Sequence, residues 1–156
     1  MHLYLFTLEI DPLVVGEVYN PLPSHLTLVS RFWSKLSPDV IVNATRAIFE
    51  QTKPIELTFG DEDAIGPKKT AVHLIENSEV TKQLHLVLVD VLNNLNVTYT
   101  QPRFIGEGHL PHVSKRDNVE YAVGSRRVVD TVYLIEVEIR GNDHLRYVRA
   151  KFDLNG

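Results

Sequence analysis

Short apolar runs that end at proline, glycine and asparagine predict a chain dominated by β-strands. Residues 2–10 are rich in strand-forming side chains and stop at Asp11-Pro12, which is a turn signal. A proline-bearing turn at 20–24 precedes a second apolar run from His25 to Trp33. The same pattern, with an acidic loop at 60–63 and a hairpin turn at 141–143, predicts further strands at 55–59, 71–76, 97–100, 111–115, 128–140 and 145–154.

Two segments have helical periodicity instead. Ser37-Pro38-Asp39 combines an N-cap residue, a proline suited to the first helical position and an acidic side chain near the positive end of the helix dipole. This predicts a helix to about Gln51, and a second helix is expected from Ser78 to Asn94. The expected buried stripes are Val40, Ala44, Ala47 and Ile48 in the first helix, and Val80, Leu84, Val87, Leu88, Val91 and Leu92 in the second.

The length and composition fit one soluble domain that spans residues 1–156. The chain is 44% hydrophobic, and no low-complexity linker divides it. Two helices among strands, with a terminal hairpin, predict an α+β fold. No apolar run approaches the roughly 18–20 residues that cross a bilayer, and the N-terminus lacks the basic region of a signal peptide. We therefore expect a cytoplasmic protein with no membrane association and no obligate protein partner.

The charge balance and the absence of cysteine exclude several function classes. With 16 Lys and Arg against 20 Asp and Glu, the net charge is −4, which argues against a protein that neutralises many phosphates of a long nucleic acid. A small pocket for one or two phosphates is still compatible with this charge. Because the chain has no cysteine, disulfide scaffolds, thiolate metal sites and cysteine nucleophiles are excluded.

Two of the seven histidines share a local pattern. His25 precedes Thr27 by two positions, His112 precedes Ser114 by two, and each pair follows a proline-bearing turn. Because residues i and i+2 of a strand point to the same face, each pair presents an imidazole beside a hydroxyl. One such pair is a weak signal, but two copies in the same context favour a shared role.

Two imidazoles and two hydroxyls suit the cleavage of a phosphodiester or a cyclic phosphate. A neutral histidine accepts a proton from the attacking oxygen, and a protonated histidine donates one to the leaving oxygen. Histidine populates both forms near neutral pH. The hydroxyls can donate hydrogen bonds to the non-bridging phosphate oxygens, so this chemistry needs no metal or other cofactor.

The paired HLTL and PHVS segments resemble the motifs of the 2H phosphoesterase superfamily, the LigT-like group of 2′-5′ RNA ligases and 2′,3′-cyclic phosphodiesterases. The first strand LYLFTLEIDP, the helix after the first motif and the late strand VVDTVYLIE follow the order of that family. The resemblance implies a bilobal fold of two pseudo-symmetric β-α lobes, with antiparallel sheets flanking a central cleft. It also implies that His25 and His112 form the acid–base pair and that Thr27 and Ser114 hold the phosphate.

Further candidate residues follow from the strands that carry the motifs. Arg116 is in phase with His112 and Ser114 and is a candidate phosphate partner. Tyr133, on the late strand, stands where the family places an aromatic or polar residue near the cleft, and it is a candidate to stack on a base. His109, three positions before His112, suggests a metal site, but with no third ligand nearby it is better interpreted as a loop histidine close to the cleft.

These observations predict a metal-independent phosphodiesterase that acts on 2′,3′-cyclic phosphate or 2′-5′ linkages of RNA or oligonucleotides. The expected partner is a small nucleotide, an oligonucleotide or an RNA end. One alternative is a phage or viral enzyme that degrades 2′-5′ or cyclic oligonucleotide signals of host immunity. Another is a non-catalytic module that binds a nucleotide or an RNA end. RNA ligation, which reverses the same chemistry, ranks below hydrolysis because water is in excess.

Overall fold

The computed structural model describes residues 1–115 and 121–156, which form a mixed α+β fold. Within these residues the chain contains two α-helices and ten strands. The helices are α1 (Pro38–Glu50) and α2 (Glu79–Asn94). The strands are β1 (His2–Glu9), β2 (Val18–Tyr19), β3 (His25–Ser34), β4 (Ile55–Ile65), β5 (Thr70–Ile75), β6 (Thr98–Tyr99), β7 (His112–Ser114), β8 (Arg126–Val129), β9 (Thr131–Arg140) and β10 (Asp143–Asp153).

The strands form one antiparallel sheet in the order β2-β10-β9-β1-β3-β7-β5-β4-β8, and β6 also pairs with β3. One half of the sheet, from β2 to β3, is built around β1. The other half, from β7 to β8, is built around β4 and β5. The halves meet where β3 pairs with β7 through Leu26 and Val113. The two histidine motifs therefore occupy neighbouring strands at the junction of the two halves.

The main core lies between the sheet and the two helices. Helix α1 packs on β9 and β10, and α2 packs on β3. The even-numbered side chains of β1 and β9 point into this core, as Phe6 and Leu134 illustrate. The odd-numbered side chains point to the opposite face of the sheet. There a smaller apolar cluster forms when Leu13 and Leu22, from the segment before β3, cover Tyr133 and Ile135.

The structure confirms most of the predicted elements, and two strand predictions were wrong. Residues 60–63 do not form a loop but continue β4, with Gly60 buried and residues 61–63 exposed. The single strand expected over 128–140 is interrupted at Asp130. Strand β8 pairs with β4 at one end of the sheet, whereas β9 pairs with β1 and β10 in the other half. Both strands are rich in β-branched residues, so local composition does not reveal the change of partner.

The predicted buried stripes of both helices were wrong in part. In α2, Leu84, Leu88 and Leu92 are buried as expected, but Val80 and Val87 are exposed. In α1, Ile48 packs against the core as expected, but the centre of the buried face is displaced. The buried side chains are Ile41, Val42, Thr45 and Phe49, while Val40 is exposed. A shift of one residue rotates the buried face by about 100°. The large Phe49 decides the orientation, because it packs against Phe6 and Phe152. In the described residues, neither helix is long and apolar enough to cross a membrane.

Candidate active site

The four motif side chains form a compact array on one face of the β3–β7 pair. The antiparallel register that aligns Leu26 with Val113 sets Thr27 opposite His112 and His25 opposite Ser114. Leu26 and Val113 are buried, so the four polar side chains face the other way. Each hydroxyl then neighbours one histidine along its strand and the other across the pair. The two histidines are diagonal neighbours, a relation that spans about 7–8 Å in an antiparallel pair.

The two imidazoles are held in the same way. The Nδ1 of His25 lies 2.8 Å from the carbonyl oxygen of Pro23, and the Nδ1 of His112 lies 2.7 Å from that of Leu110. A carbonyl can only accept, so each Nδ1 carries a proton and donates it. In each ring Nε2 is therefore the nitrogen that can exchange a proton with a substrate. The proline-bearing turns before both motifs supply these carbonyl groups.

Burial changes the acid–base behaviour of the second histidine. Desolvation lowers the pKa of His112 below its ordinary value, and the hydrogen bond to Leu110 opposes this shift only in part. The neutral form of His112 is therefore favoured at neutral pH. Its Nε2 can then accept a proton.

A cavity of about 540 Å³ opens over this array and contains all four motif side chains in its lining. Among the described residues, the lining includes no aspartate or glutamate, although the whole chain is acidic. The lining also includes four cationic side chains from four separate segments: Arg31 of β3, Lys68 at the tip of the β4–β5 hairpin, Arg103 from the segment between β6 and β7, and Arg146 of β10. The cavity therefore attracts anions, because its own side chains supply positive charge without a compensating carboxylate.

Sequence reasoning missed these four cations, since no motif joins them. Neighbouring groups orient three of them. Arg31 Nη1 donates to His144 Nδ1 at 3.0 Å, and Arg146 Nη1 donates to the carbonyl oxygen of His144 at 2.6 Å. The guanidinium of Arg103 lies 4.8 Å from the ring centre of Phe104, which also lines the cavity. His144 thus positions two arginines of the cavity.

Tyr133 was expected to stack on a base, and the structure corrects this prediction. Its strand register with Thr7 places it on the same face as the motifs. However, the segment before β3 covers it, and only 1% of its surface is exposed. Its hydroxyl accepts from the N–H of Leu13 at 3.0 Å and donates to the carboxylate of Glu9. The ring is therefore part of the smaller apolar cluster and offers no face to a base. Arg116, the other predicted substrate contact, lies outside the described residues.

The loop histidine His109 lies in the cavity lining, close to the cleft as expected. Burial, with smaller effects of His85, His112 and Lys82, lowers the pKa of His109 to about 3, so its ring is neutral. Among residues 1–115 and 121–156, no three histidine or carboxylate side chains come together as a group that could hold a metal ion.

Comparison with solved structures shows which fold this is. E. coli LigT complexed with 3′-AMP superposes with a TM-score of 0.68 at 13% identity, covering 99% of each chain. The LigT complex with NADP⁺ gives 0.66 at 12% identity, covering 99% of this chain and 98% of that one. The protein TT0787 of Thermus thermophilus gives 0.57 at 15% identity, covering 100% and 99%. The fold is therefore LigT-like.

The sequence itself carries the family assignment. No curated protein shows significant sequence similarity to the chain. The sequence profile of the 2′-5′ RNA ligase superfamily, in contrast, matches residues 10–141, which include both histidine motifs. With the profile covering most of its length and the fold in agreement, the chain belongs to the 2′-5′ RNA ligase superfamily of 2H phosphoesterases.

Proposed function

We propose that the protein is a phosphodiesterase that hydrolyses 2′,3′-cyclic phosphate or 2′-5′ phosphodiester bonds by two-histidine acid–base catalysis. One observation carries this proposal: His25, Thr27, His112 and Ser114 share one face of the β3–β7 pair and line one cationic cavity. This arrangement supplies a proton acceptor, a proton donor and two hydroxyl donors around the position of a single phosphate.

In the proposed hydrolysis of a 2′,3′-cyclic phosphate, a water molecule attacks the phosphorus. Nε2 of neutral His112 accepts a proton from that water as the new P–O bond forms. Nε2 of protonated His25 donates a proton to the ribose oxygen as its bond to phosphorus breaks. The product is a ribose monophosphate with one free hydroxyl, and the two histidines have exchanged protonation states. Proton exchange with solvent restores the starting pair.

We assign the role of general base to His112 because of its surroundings. Burial lowers the pKa of His112, which favours the neutral form that a general base needs. His25 then acts as the acid. The diagonal arrangement suits opposite roles, because attacking and leaving oxygens lie on opposite sides of the phosphorus in an in-line displacement.

The hydroxyls of Thr27 and Ser114 are proposed to donate hydrogen bonds to the non-bridging phosphate oxygens. Each lies between the two histidines in the array, next to one along its strand and opposite the other. Charge on these oxygens grows in the transition state, so preorganised donors stabilise it more than the ground state.

The test is turnover of 2′,3′-cyclic AMP in the presence of a chelator, with product measured by chromatography. We expect a single nucleoside monophosphate as product. His25→Ala and His112→Ala should each abolish most of the rate, while His2→Ala is the matched control, because His2 lies outside the cavity and bonds to Glu136. Absence of turnover of 2′,3′-cyclic nucleotides and of 2′-5′ oligoadenylate, or turnover that both alanine variants retain, would overturn the proposal.

A second candidate, within the same reaction class, is an enzyme whose substrates are the 2′-5′-linked or cyclic oligonucleotides that signal in host immunity. The four cations of the cavity favour this substrate, because one phosphate at the histidines does not need them all. We expect Lys68→Ala and Arg146→Ala to raise KM for 2′-5′ oligoadenylate more than for 2′,3′-cyclic AMP. An equal rise of KM for both substrates would remove the reason to prefer oligonucleotides as substrates.

Measurements of binding and of product formation separate the remaining alternatives. A non-catalytic binding module would bind 2′-AMP in a calorimetric titration and form no product from the substrates over hours. A ligase would join an end with a 2′,3′-cyclic phosphate to an end with a 5′-hydroxyl. Hydrolysis is favoured over ligation on chemical grounds, because water is in large excess over the second RNA end.

A further inference from the structure

A buried histidine outside the cavity lining joins the segments that carry the two motifs. His85, on α2, has 0% exposed surface. Its Nδ1 lies 2.7 Å from the carbonyl oxygen of Leu28, and its Nε2 accepts the N–H of Gly106 at 2.9 Å. A ring that donates through Nδ1 and accepts through Nε2 is a neutral imidazole in one tautomer. Burial lowers the pKa of His85, which agrees with this neutral form.

Both partners of His85 belong to the motif segments. Leu28 follows Thr27 directly on β3. Gly106 lies in the short segment that leads to His112, and His109 lies in the same segment. The rings of His85 and His109 are stacked, with centroids 3.9 Å apart and planes within 3°. His85 thus contacts the strand of the first motif and, at two points, the segment that precedes the second.

The lead-in segment, residues 105–111, has a conformation that depends on glycine. Gly106 has φ +73°, in the left-handed region. A Cβ at Gly108 would lie 1.8 Å from the carbonyl oxygen of Arg103, so the chain is closely folded on itself there. Beyond this segment, β7 is only three residues long. The position of His112 therefore depends on how the lead-in segment is held, as well as on the pairing of β7 with β3 and β5.

We propose that His85 is a positioning residue that fixes His112 relative to His25 and Thr27 by clamping the lead-in segment to β3. This inference rests on the proposed function for its effect on catalysis. His85 touches no substrate in this account. It acts through the placement of His112, where a displacement of about 1 Å can cost up to about 10²-fold in rate.

Two variants at this position separate the bonds. His85→Phe keeps an aromatic ring for the stack on His109 and loses both hydrogen bonds. His85→Gln has a carboxamide that reaches the position of Nε2 and can accept from Gly106. We expect His85→Phe to lower kcat about tenfold with little change in KM, and His85→Gln to recover most of that loss. If His85→Phe lowered kcat only because the protein was less stable, restoring the hydrogen bond to Gly106 in His85→Gln would not by itself restore kcat.

His73 provides a matched control for a buried histidine. It is 1% exposed, its Nδ1 lies 3.2 Å from the carbonyl oxygen of Gly60, and its Nε2 accepts from the N–H of Tyr121 at 3.4 Å. Neither partner lines the cavity, and the pairing of His73 with Val113 of β7 is between backbones, so a change of its side chain leaves that pairing in place. His73→Phe should therefore cost stability comparably to His85→Phe and leave kcat within about twofold. An equal fall of kcat in both variants would overturn the proposal.

Two further readouts keep this inference separate from the proposed function. The hydrogen-exchange rate of the Gly106 amide, measured by NMR, should rise in His85→Phe and return toward wild type in His85→Gln. The NMR resonances of the His112 ring should shift in His85→Phe and return toward their wild-type positions in His85→Gln. These measurements need no turnover, so they stand even if the protein hydrolyses none of the substrates. If His85→Phe does not fold, His85→Asn takes its place in this test, because the shorter side chain of asparagine cannot reach Gly106. A Gly106 exchange rate and His112 resonances that are wild-type in both His85→Gln and His85→Asn would contradict the clamp.

Discussion

The two histidine motifs have the same local chemistry in very different frameworks. The first begins the ten-residue β3, which pairs along most of its length with β1. The second occupies the three-residue β7, whose register with β3 is set through Val113 and whose other neighbour is β5. Both imidazoles nevertheless bond to the carbonyl two residues before them. The ring orientation is therefore built into each motif, whereas the distance between the motifs depends on the surroundings of β7.

The largest expected effect comes from removing either imidazole. His25→Ala and His112→Ala should each lower kcat by about 10²–10⁴-fold for 2′,3′-cyclic AMP, because each removes one proton transfer. If the two rings act as a unit, the double variant should be little worse than the more damaging single one. Steady-state kinetics on the three proteins decide this. Multiplicative losses would show that the histidines act independently.

Thr27 and Ser114 have the same proposed role, so their variants compare the two motifs directly. Thr27→Val and Ser114→Ala should each lower kcat by about 10²-fold, since each removes one donor to the phosphate oxygens. Thr27→Ser keeps the hydroxyl and should keep most of the rate. A loss confined to KM in the Val and Ala variants would mean that the hydroxyls bind the ground state only.

Two glycines test the dependence of β7 on its lead-in segment. In Gly108→Ala the new Cβ meets the carbonyl oxygen of Arg103, so backbone must shift, and we expect about tenfold lower kcat. Gly16→Ala is the matched variant: its φ of +92° makes alanine strained, but nothing lies within 4 Å. It should cost about 1–2 kcal/mol of stability and leave kcat unchanged. Thermal unfolding and kinetics of both proteins check this, and a normal kcat in Gly108→Ala would contradict the dependence.

The effect least connected with catalysis concerns acid stability near β7. Burial depresses the pKa of His109 from 6.5 to about 3, so below pH 6.5 the unfolded chain binds a proton that the folded chain does not. The free energy of unfolding should therefore fall as pH falls from about 6.5 toward 3. In His109→Gln, the number of protons taken up on unfolding should be lower by about one across this pH range. Denaturant melts at several pH values measure it, and an unchanged slope would show that His109 titrates normally.

The sequence predicts each histidine–hydroxyl pair because the spacing that forms it is local. The two-residue spacing of His25 with Thr27 and of His112 with Ser114 puts each pair on one strand face, whatever the rest of the fold does. That β3 and β7 are neighbours is a non-local pairing that the local pattern does not predict; the family resemblance implied only that the two histidines act as a pair at a cleft.

Other features of the site depend on chain segments that the local pattern does not connect. Arg31 and Arg146 are brought to the cavity from distant strands, and His144 orients both. Tyr133 has the predicted face, yet the segment that carries Leu13 covers it. His85 belongs to neither histidine motif of the sequence. Its bonds to Leu28 and Gly106 become visible only in the tertiary structure.

The pH dependence of kcat/KM for 2′,3′-cyclic AMP tests the central claim most directly. The account predicts a bell-shaped profile, because His112 must be neutral and His25 protonated. The acid limb should lie below pH 6.5, since burial lowers the pKa of His112. This limb should be absent from the residual activity of His112→Ala, and the alkaline limb should be absent from the residual activity of His25→Ala. A profile without two limbs, or limbs that persist in both variants, would contradict the acid–base pair.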